Sequence, residues 1–116
     1  MKITGSGKLL RIFIGESDRY HGRPLYEAIV RRAHELGLAG ATVWRGIEGY
    51  GANSRIHTAK ILRLSEDLPI LIEIVDAEEK IRAALPEFDT MMEASGGGGL
   101  VTLEHAEIIK YSQGRS

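Results

Sequence analysis

The sequence predicts an α+β sandwich, an antiparallel sheet with both helices packed on one face. The order of elements predicts it, and the strongest strand adds an expectation of self-association. Short apolar runs and two longer stretches of helical periodicity follow one another as strand, helix, strand, an ambiguous run, strand, helix, strand, which is two β-α-β units. The strongest run, residues 68–75, sends Ile70, Ile72 and Ile74 to one face and Leu71 and Val75 to the other. A sheet apolar on both faces needs cover on both, and two helices can cover only one. Self-association over the bare face is the economical way to cover it.

Composition frames that expectation. The 116 residues suit a single domain over 1–116, long enough to bury roughly two-thirds of the unfolded chain's surface. Hydrophobic residues at 43% and charged residues at 27% describe an ordinary globular protein. A net charge of −1 argues against nucleic acid as a partner, since dedicated binders carry a basic excess. With no cysteine, disulfides and thiolate metal sites are excluded. No apolar run approaches the ~20 residues that cross a bilayer, and the first residues have no apolar core for a signal peptide. Direct membrane insertion is not expected, and the cytoplasm is the expected location.

Residues 1–7 are rich in Gly and Ser and are expected to be loose. Residues 8–15 form the first strand, with Leu10, Ile12 and Ile14 on one face and Leu9, Arg11 and Phe13 on the other. Residues 16–22 are polar and turn-like. Pro24 sits where the first turn of a helix tolerates proline, and Leu25, Ile29, Ala33 and Leu36 make that helix's apolar stripe. Gly37 closes it as a left-handed cap. Residues 39–48 read as a buried second strand running into Gly46, Gly49 and Gly51, then into a polar, basic loop bearing Asn53, Ser54, Arg55, His57 and Lys60. Residues 58–64 fit a strand or a helical turn, and the strand is taken. After the strand of residues 68–75, Asp76 and Glu79 have capping-box spacing, and Ile81, Leu85, Phe88 and Met92 carry the next stripe. Pro86 is expected to kink or split that helix. Gly96, Gly97, Gly98 and Gly99 connect it to a last strand over residues 100–109, bulged at Glu104 and His105. The tail from Ser112 is expected to fray.

Chemistry-bearing residues each have a plain alternative. Successive N–H groups of Gly96 to Gly99 can cradle a phosphate or carboxylate, or the four can be a flexible connection; no Gly-Lys-Ser/Thr follows, so this is no Walker A loop. Arg45, Arg55, His57, Lys60, Arg63 and Lys110 offer charge to an anion or are solvated surface. Arg55 and Lys60 stand out for sitting in the glycine-bounded loop. His21, His34, His57 and His105 lack metal-ligand spacing. Glu16-Ser17-Asp18 is an acidic site or a polar turn, and no acid–base pair or activated nucleophile can be named. Trp44 and Tyr50 could stack on a ring, although Trp44, inside a strand, reads as packing.

Gly37-Leu38-Ala39-Gly40-Ala41-Thr42-Val43 followed by Gly49-Tyr50-Gly51, with Leu68-Pro69 opening the next strand, resembles the PII signal-transduction proteins. The chain is more similar still to an uncharacterised PII-like family, through Gly15-Glu16-Ser17-Asp18, Gly40-Ala41-Thr42-Val43, Arg45-Gly46-Ile47-Glu48-Gly49-Tyr50-Gly51, Leu64-Ser65-Glu66-Asp67-Leu68-Pro69 and Leu100-Val101-Thr102. The resemblance implies a ferredoxin-like βαββαβ fold, a homotrimer and effector binding in clefts between subunits. It implies no known activity, and some members lie beside fluoride-channel genes. The chain departs from PII where phosphate is held: Gly96 to Gly99 contain no lysine, the lysine after the Leu-Pro entry is replaced by Ile70-Leu71-Ile72, and no modifiable tyrosine lies between Ala52 and Asp67. ATP binding and nucleotidylylation are therefore not carried over.

The expected function is a trimeric regulatory protein. It binds a small anionic effector, a nucleotide being one candidate, in the intersubunit cleft, and acts on a partner, a membrane channel or an enzyme, through the loop after the second strand. The effector site is expected between Gly49, Tyr50 and Gly51 and the loop Gly96, Gly97, Gly98 and Gly99, with Arg55 and Lys60 supplying charge. Residues 52–57 are expected to order only on contact. The alternatives are an enzyme acting on a small metabolite in the same cleft, and a structural trimer without ligand. No cofactor, catalytic residue or metal ligand is named.

Overall fold

The computed structural model describes residues 5–51, 57–58, 67–96 and 98–114. In chain order these form β1 (Gly5–Gly15), β2 (Arg19–Tyr20), β3 (Arg23–Pro24), α1 (Leu25–Glu35), β4 (Thr42–Arg45), β5 (Glu48–Gly49), β6 (His57–Thr58), β7 (Pro69–Asp76), α2 (Glu78–Ser95) and β8 (Leu100–Ile108). The main sheet is antiparallel in the order β4-β7-β1-β8, as expected for the α+β sandwich.

Alternation along the two central strands decides the core. Leu10, Ile12 and Ile14 of β1 and Ile70, Ile72 and Ile74 of β7 face the helices and are buried. Leu25, Ala28, Ile29 and Ala33 of α1 and Ile81, Ala84, Phe88, Met91 and Met92 of α2 close over them. Burying one such aliphatic side chain contributes about 1.5–3 kcal/mol. Gly37, at φ 77°, ends α1 in the left-handed region as its sequence position predicts. The Lys80 ammonium donates to the Gly37 carbonyl at 2.6 Å.

Several expectations are corrected. Gly5–Gly7 are not loose, because they pair with residues 106–108. Pro24 precedes the first helical residue and pairs with Arg19 in a two-stranded hairpin. The second strand covers only Thr42–Arg45 and is exposed, not buried: β4 is the sheet's edge, and its ladder stops where Pro69 has no N–H to donate. At its start, the Ala39 N–H is claimed by the Asp76 carboxylate at 2.9 Å. Asp76 is the last residue of β7. Its buried carboxylate joins Ala39 to Ala77 rather than capping α2, whose N-cap is Ala77. Of the kink or split expected at Pro86, the split does not occur: α2 continues through this exposed residue, where water can take the carbonyl it frees. β8 carries no bulge; it pairs residue by residue with β1 from Leu100↔Phe13 to Ile108↔Gly5. The charges at residues 104–105 are tolerated because β8 is the other edge. The ambiguous run at 58–64 lies outside the described residues beyond Thr58.

Candidate functional site

The ends of β1, β4 and β7 meet below the loop that the sequence singled out. The Gly46 N–H donates to the Pro69 carbonyl at 2.8 Å. A side chain at Gly46 or Gly49 would put its Cβ 2.9 Å from the Pro69 ring, so the glycines answer to close packing on that proline. Beyond them β5 and β6 pair Glu48 with Thr58 and Gly49 with His57, and this short stem closes the base of the loop. Tyr50 and Gly51 stand exposed at its top. Arg55, Lys60 and residues 52–56 of the segment 52–57 expected to order only on contact lie outside the described residues, whereas His57 is already paired with Gly49 in the stem.

Glu16-Ser17-Asp18 takes the turn reading. The Gly15 N–H donates to the Asp18 carboxylate at 3.0 Å and the Ser17 N–H to the Asp67 carboxylate at 2.7 Å. The Glu16 N–H donates to the Leu68 carbonyl at 2.8 Å, and its carboxylate pairs with Arg45 at 2.6 Å. Burial pushes the Asp18 carboxyl up; the Gly15 N–H opposes this, and the nearby Asp67 adds to it. These contacts tie the end of β1 to the start of β7 and hold the loop stem's foundation.

The glycine-rich connection lies at the same end of the sheet. Gly96, at φ 75°, caps α2, with its N–H on the Glu93 carbonyl at 3.1 Å. A Cβ on Gly99 would stand 2.5 Å from Met92 Cε and 3.0 Å from the Phe13 carbonyl oxygen, so this glycine lets the chain cross close to the sheet. Gly98 is exposed, and Gly97 lies outside the described residues. Gly49 to Gly51 follow β4 and Gly96 to Gly99 precede β8, the two opposite edges. Three strand spacings, about 14 Å, separate those edges, so one chain does not bring the two stretches together.

The face of the sheet away from the helices carries features the sequence reading missed. Trp44, taken as packing, is 55% exposed there and donates its indole N–H to Glu73 at 2.8 Å. Arg11 bridges Glu73 and Glu104, each at 3.0 Å. Those donors, Arg11 first and Trp44 second, hold the Glu73 carboxyl below its ordinary range. The signal lay in the alternation: Arg11 and Glu73 fall on the same face once β1 and β7 pair. Farther along this face a cavity of about 460 Å³ opens among Leu9, Val75, Ile108 and Tyr111, whose hydroxyl donates to the Ala39 carbonyl at 3.0 Å. Among the described residues no three His, Asp or Glu side chains converge on a metal position, and no helix is long and apolar enough to cross a membrane.

The family model DUF190, described as "Uncharacterized ACR", matches residues 7–108. A UPF0166 protein of Aquifex aeolicus is 44% identical over 102 residues, covering 88% of this chain and 92% of its own. A second UPF0166 protein, from Methanocaldococcus jannaschii, is 36% identical over 103 residues, covering 89% and 92%. The fold is similar to that of CPII, a nitrogen regulatory PII-like protein from Thiomonas intermedia K12, solved with ADP, AMP and bicarbonate. That likeness has a TM-score of 0.67 at 18% identity and spans 93% of this chain and 91% of CPII. The coverage of both relatives, the identity to them and the matched model agree: the chain belongs to the DUF190 family, built on the PII-like fold.

Proposed function

We propose that this protein is a trimeric PII-like regulatory protein of the cytoplasm. A small anionic effector binds in a cleft between subunits, and the loop above β5 and β6 carries the response to a partner protein. The observation that carries the reading is the likeness of fold, over 93% of the chain, to a PII-like protein bound to ADP, AMP and bicarbonate. Two features of the chain support it. The loop rises from a stem fixed by Pro69, and the two glycine stretches lie at one end of the sheet but on opposite edges. A neighbouring copy set against the open face would bring one chain's Gly49 to Gly51 to another's Gly96 to Gly99. Arg55 from the loop and Lys60 from beyond β6 then contribute charge, and ordering of residues 52–56 by effector supplies the switch, since a ligand shifts populations only through differential contacts.

Isothermal titration of the full chain with ADP, AMP and bicarbonate tests this. At least one is expected to bind saturably and to raise the melting temperature, native-state binding being worth about 2.7 kcal/mol at a hundredfold excess over Kd. Gly51 has open space around it and Gly98 is exposed, so a Gly51→Val, Gly98→Val double variant is expected to fold and to bind more weakly. Unchanged affinity in that variant would put the site elsewhere.

A further inference from the structure

We infer that the groove over the seam of α1 and α2 is a second anion site, shaped for a small phosphate monoester with an apolar body. The groove encloses about 570 Å³, within the ~300–1,000 Å³ range of small-molecule sites. Ala28 and Met91 give it a buried apolar floor, and the β2–β3 hairpin closes one end. It lies on the helix side, away from both the open sheet face and the glycine stretches, and does not rest on the regulatory reading.

Its charges are unevenly matched. Arg32 takes both of the groove's carboxylates, Glu35 at 3.0 Å and Glu87 at 2.5 Å. Arg23 from the hairpin and Arg31 from α1 line the same groove and form no ion pair among the described residues. Two guanidiniums without carboxylates, on a chain of net charge −1, suit a phosphate dianion, whose oxygens accept forked N–H donors. His21 adds an imidazole to the same rim.

The hairpin tip adds an independent sign. His21 has φ 51°, the one positive value outside glycine among the described residues, and Gly22 follows at φ 80°. A two-residue turn with both central residues at positive φ favours Asn-Gly or Asp-Gly, and histidine is among the few other residues enriched in that region. A histidine there puts a ring at the hairpin tip that Asn or Asp would not, provided the turn is held. The surroundings do hold it: Arg19 donates to the Gly22 carbonyl at 3.0 Å, Leu25 N–H donates to the Asp18 carbonyl at 2.8 Å, and the His21 ring lies 4.2 Å from that of Tyr20. The pair offers a ring surface to the ligand's apolar body, with Arg23 and Arg31 positioned for its phosphate.

Titration of the full chain with phenyl phosphate, alongside inorganic phosphate, tests the assignment. Saturable binding is expected, tighter for phenyl phosphate than for inorganic phosphate. An Arg23→Gln, Arg31→Gln double variant, changed only at exposed positions, is expected to melt like the wild type and bind at least about tenfold more weakly. His21→Asn, which suits the turn, is expected to melt no lower yet lose several-fold in affinity, and Gly51→Val, Gly98→Val to bind phenyl phosphate as the wild type does. No saturable binding up to about 10 mM overturns the site. So does undiminished binding in the double arginine variant, or its loss in the glycine variant alone. Inorganic phosphate binding as tightly as phenyl phosphate overturns the monoester assignment.

Discussion

Across the main sheet, residues that face the helices alternate with residues that face away, and the two sets differ sharply. Leu10, Ile12, Ile14, Ile70, Ile72 and Ile74 are at most 5% exposed, whereas Phe13 stands at 37%, Val75 at 39% and Leu100 and Trp44 at 55%. The inner set is aliphatic except at one end, where Lys8 and the buried Asp76 continue the alternation. The outer set is apolar but crossed by a row of polar groups, Glu104, Arg11, Glu73 and the Trp44 indole, joined by ion pairs and a hydrogen bond. An aliphatic face needs only volume to pack well, and any close-packed helix pair supplies it. A face with a charged row accepts partners in few registers, because a misplaced neighbour leaves those groups without bonds. The same strands thus carry a face built for stability and a face suited to selective assembly.

The largest effect expected is on the inner face. Ile72→Ala should cost about 2–5 kcal/mol, measured by urea denaturation, and the loss should not vary with protein concentration. Leu71→Ala, one residue along and facing away, should shift the midpoint by an amount that depends on protein concentration, as for any contact between copies. Equal, concentration-independent losses at both positions would erase the distinction between the faces.

A smaller effect belongs to the polar row. Glu73 titrates below the ordinary carboxylate range because Arg11, and then Trp44, donate to its ionised form. Its stabilisation is therefore present above the unfolded carboxylate range and lost as pH falls through the depressed folded value. Glu73→Gln should lower the melting temperature at neutral pH by less than Ile72→Ala does, and the difference should close in acid. The smallest effect lies at the strand ends. Burial raises the Asp18 carboxyl, so its favourable contribution is present at low pH and lost as pH rises through the raised folded value. Asp18→Asn keeps an acceptor for the Gly15 N–H and should match the wild type in acid while melting slightly higher at neutral pH.

The inner face was legible in the sequence because its signal is periodic: Ile70, Ile72 and Ile74, or Ile81 and Phe88, announce their partners by spacing alone. Gly37 was legible because one residue type fits its backbone. What escaped depended on pairing partners distant in sequence. The shortness and exposure of β4 follow from its edge position and from Pro69, which the local pattern of residues 39–48 cannot register. Asp76 and Glu79 have capping-box spacing, yet the buried Asp76 carboxylate serves Ala39, 37 residues earlier. The Arg11–Glu73–Trp44 row exists only once β1, β7 and β4 are laid side by side. Of the candidate site, the glycine stretches were legible as glycines, but their placement on opposite edges came from strand order.

The proposal that the open face is covered by other copies of the chain is tested most directly by size-exclusion chromatography with light scattering. The wild type is expected to show three times the 12.8 kDa chain mass at micromolar concentration, and Leu71→Asp, which puts a charge into that face, a smaller one. A wild-type mass of 12.8 kDa throughout the micromolar range would contradict it, leaving the open face without a partner and the two glycine stretches in separate places.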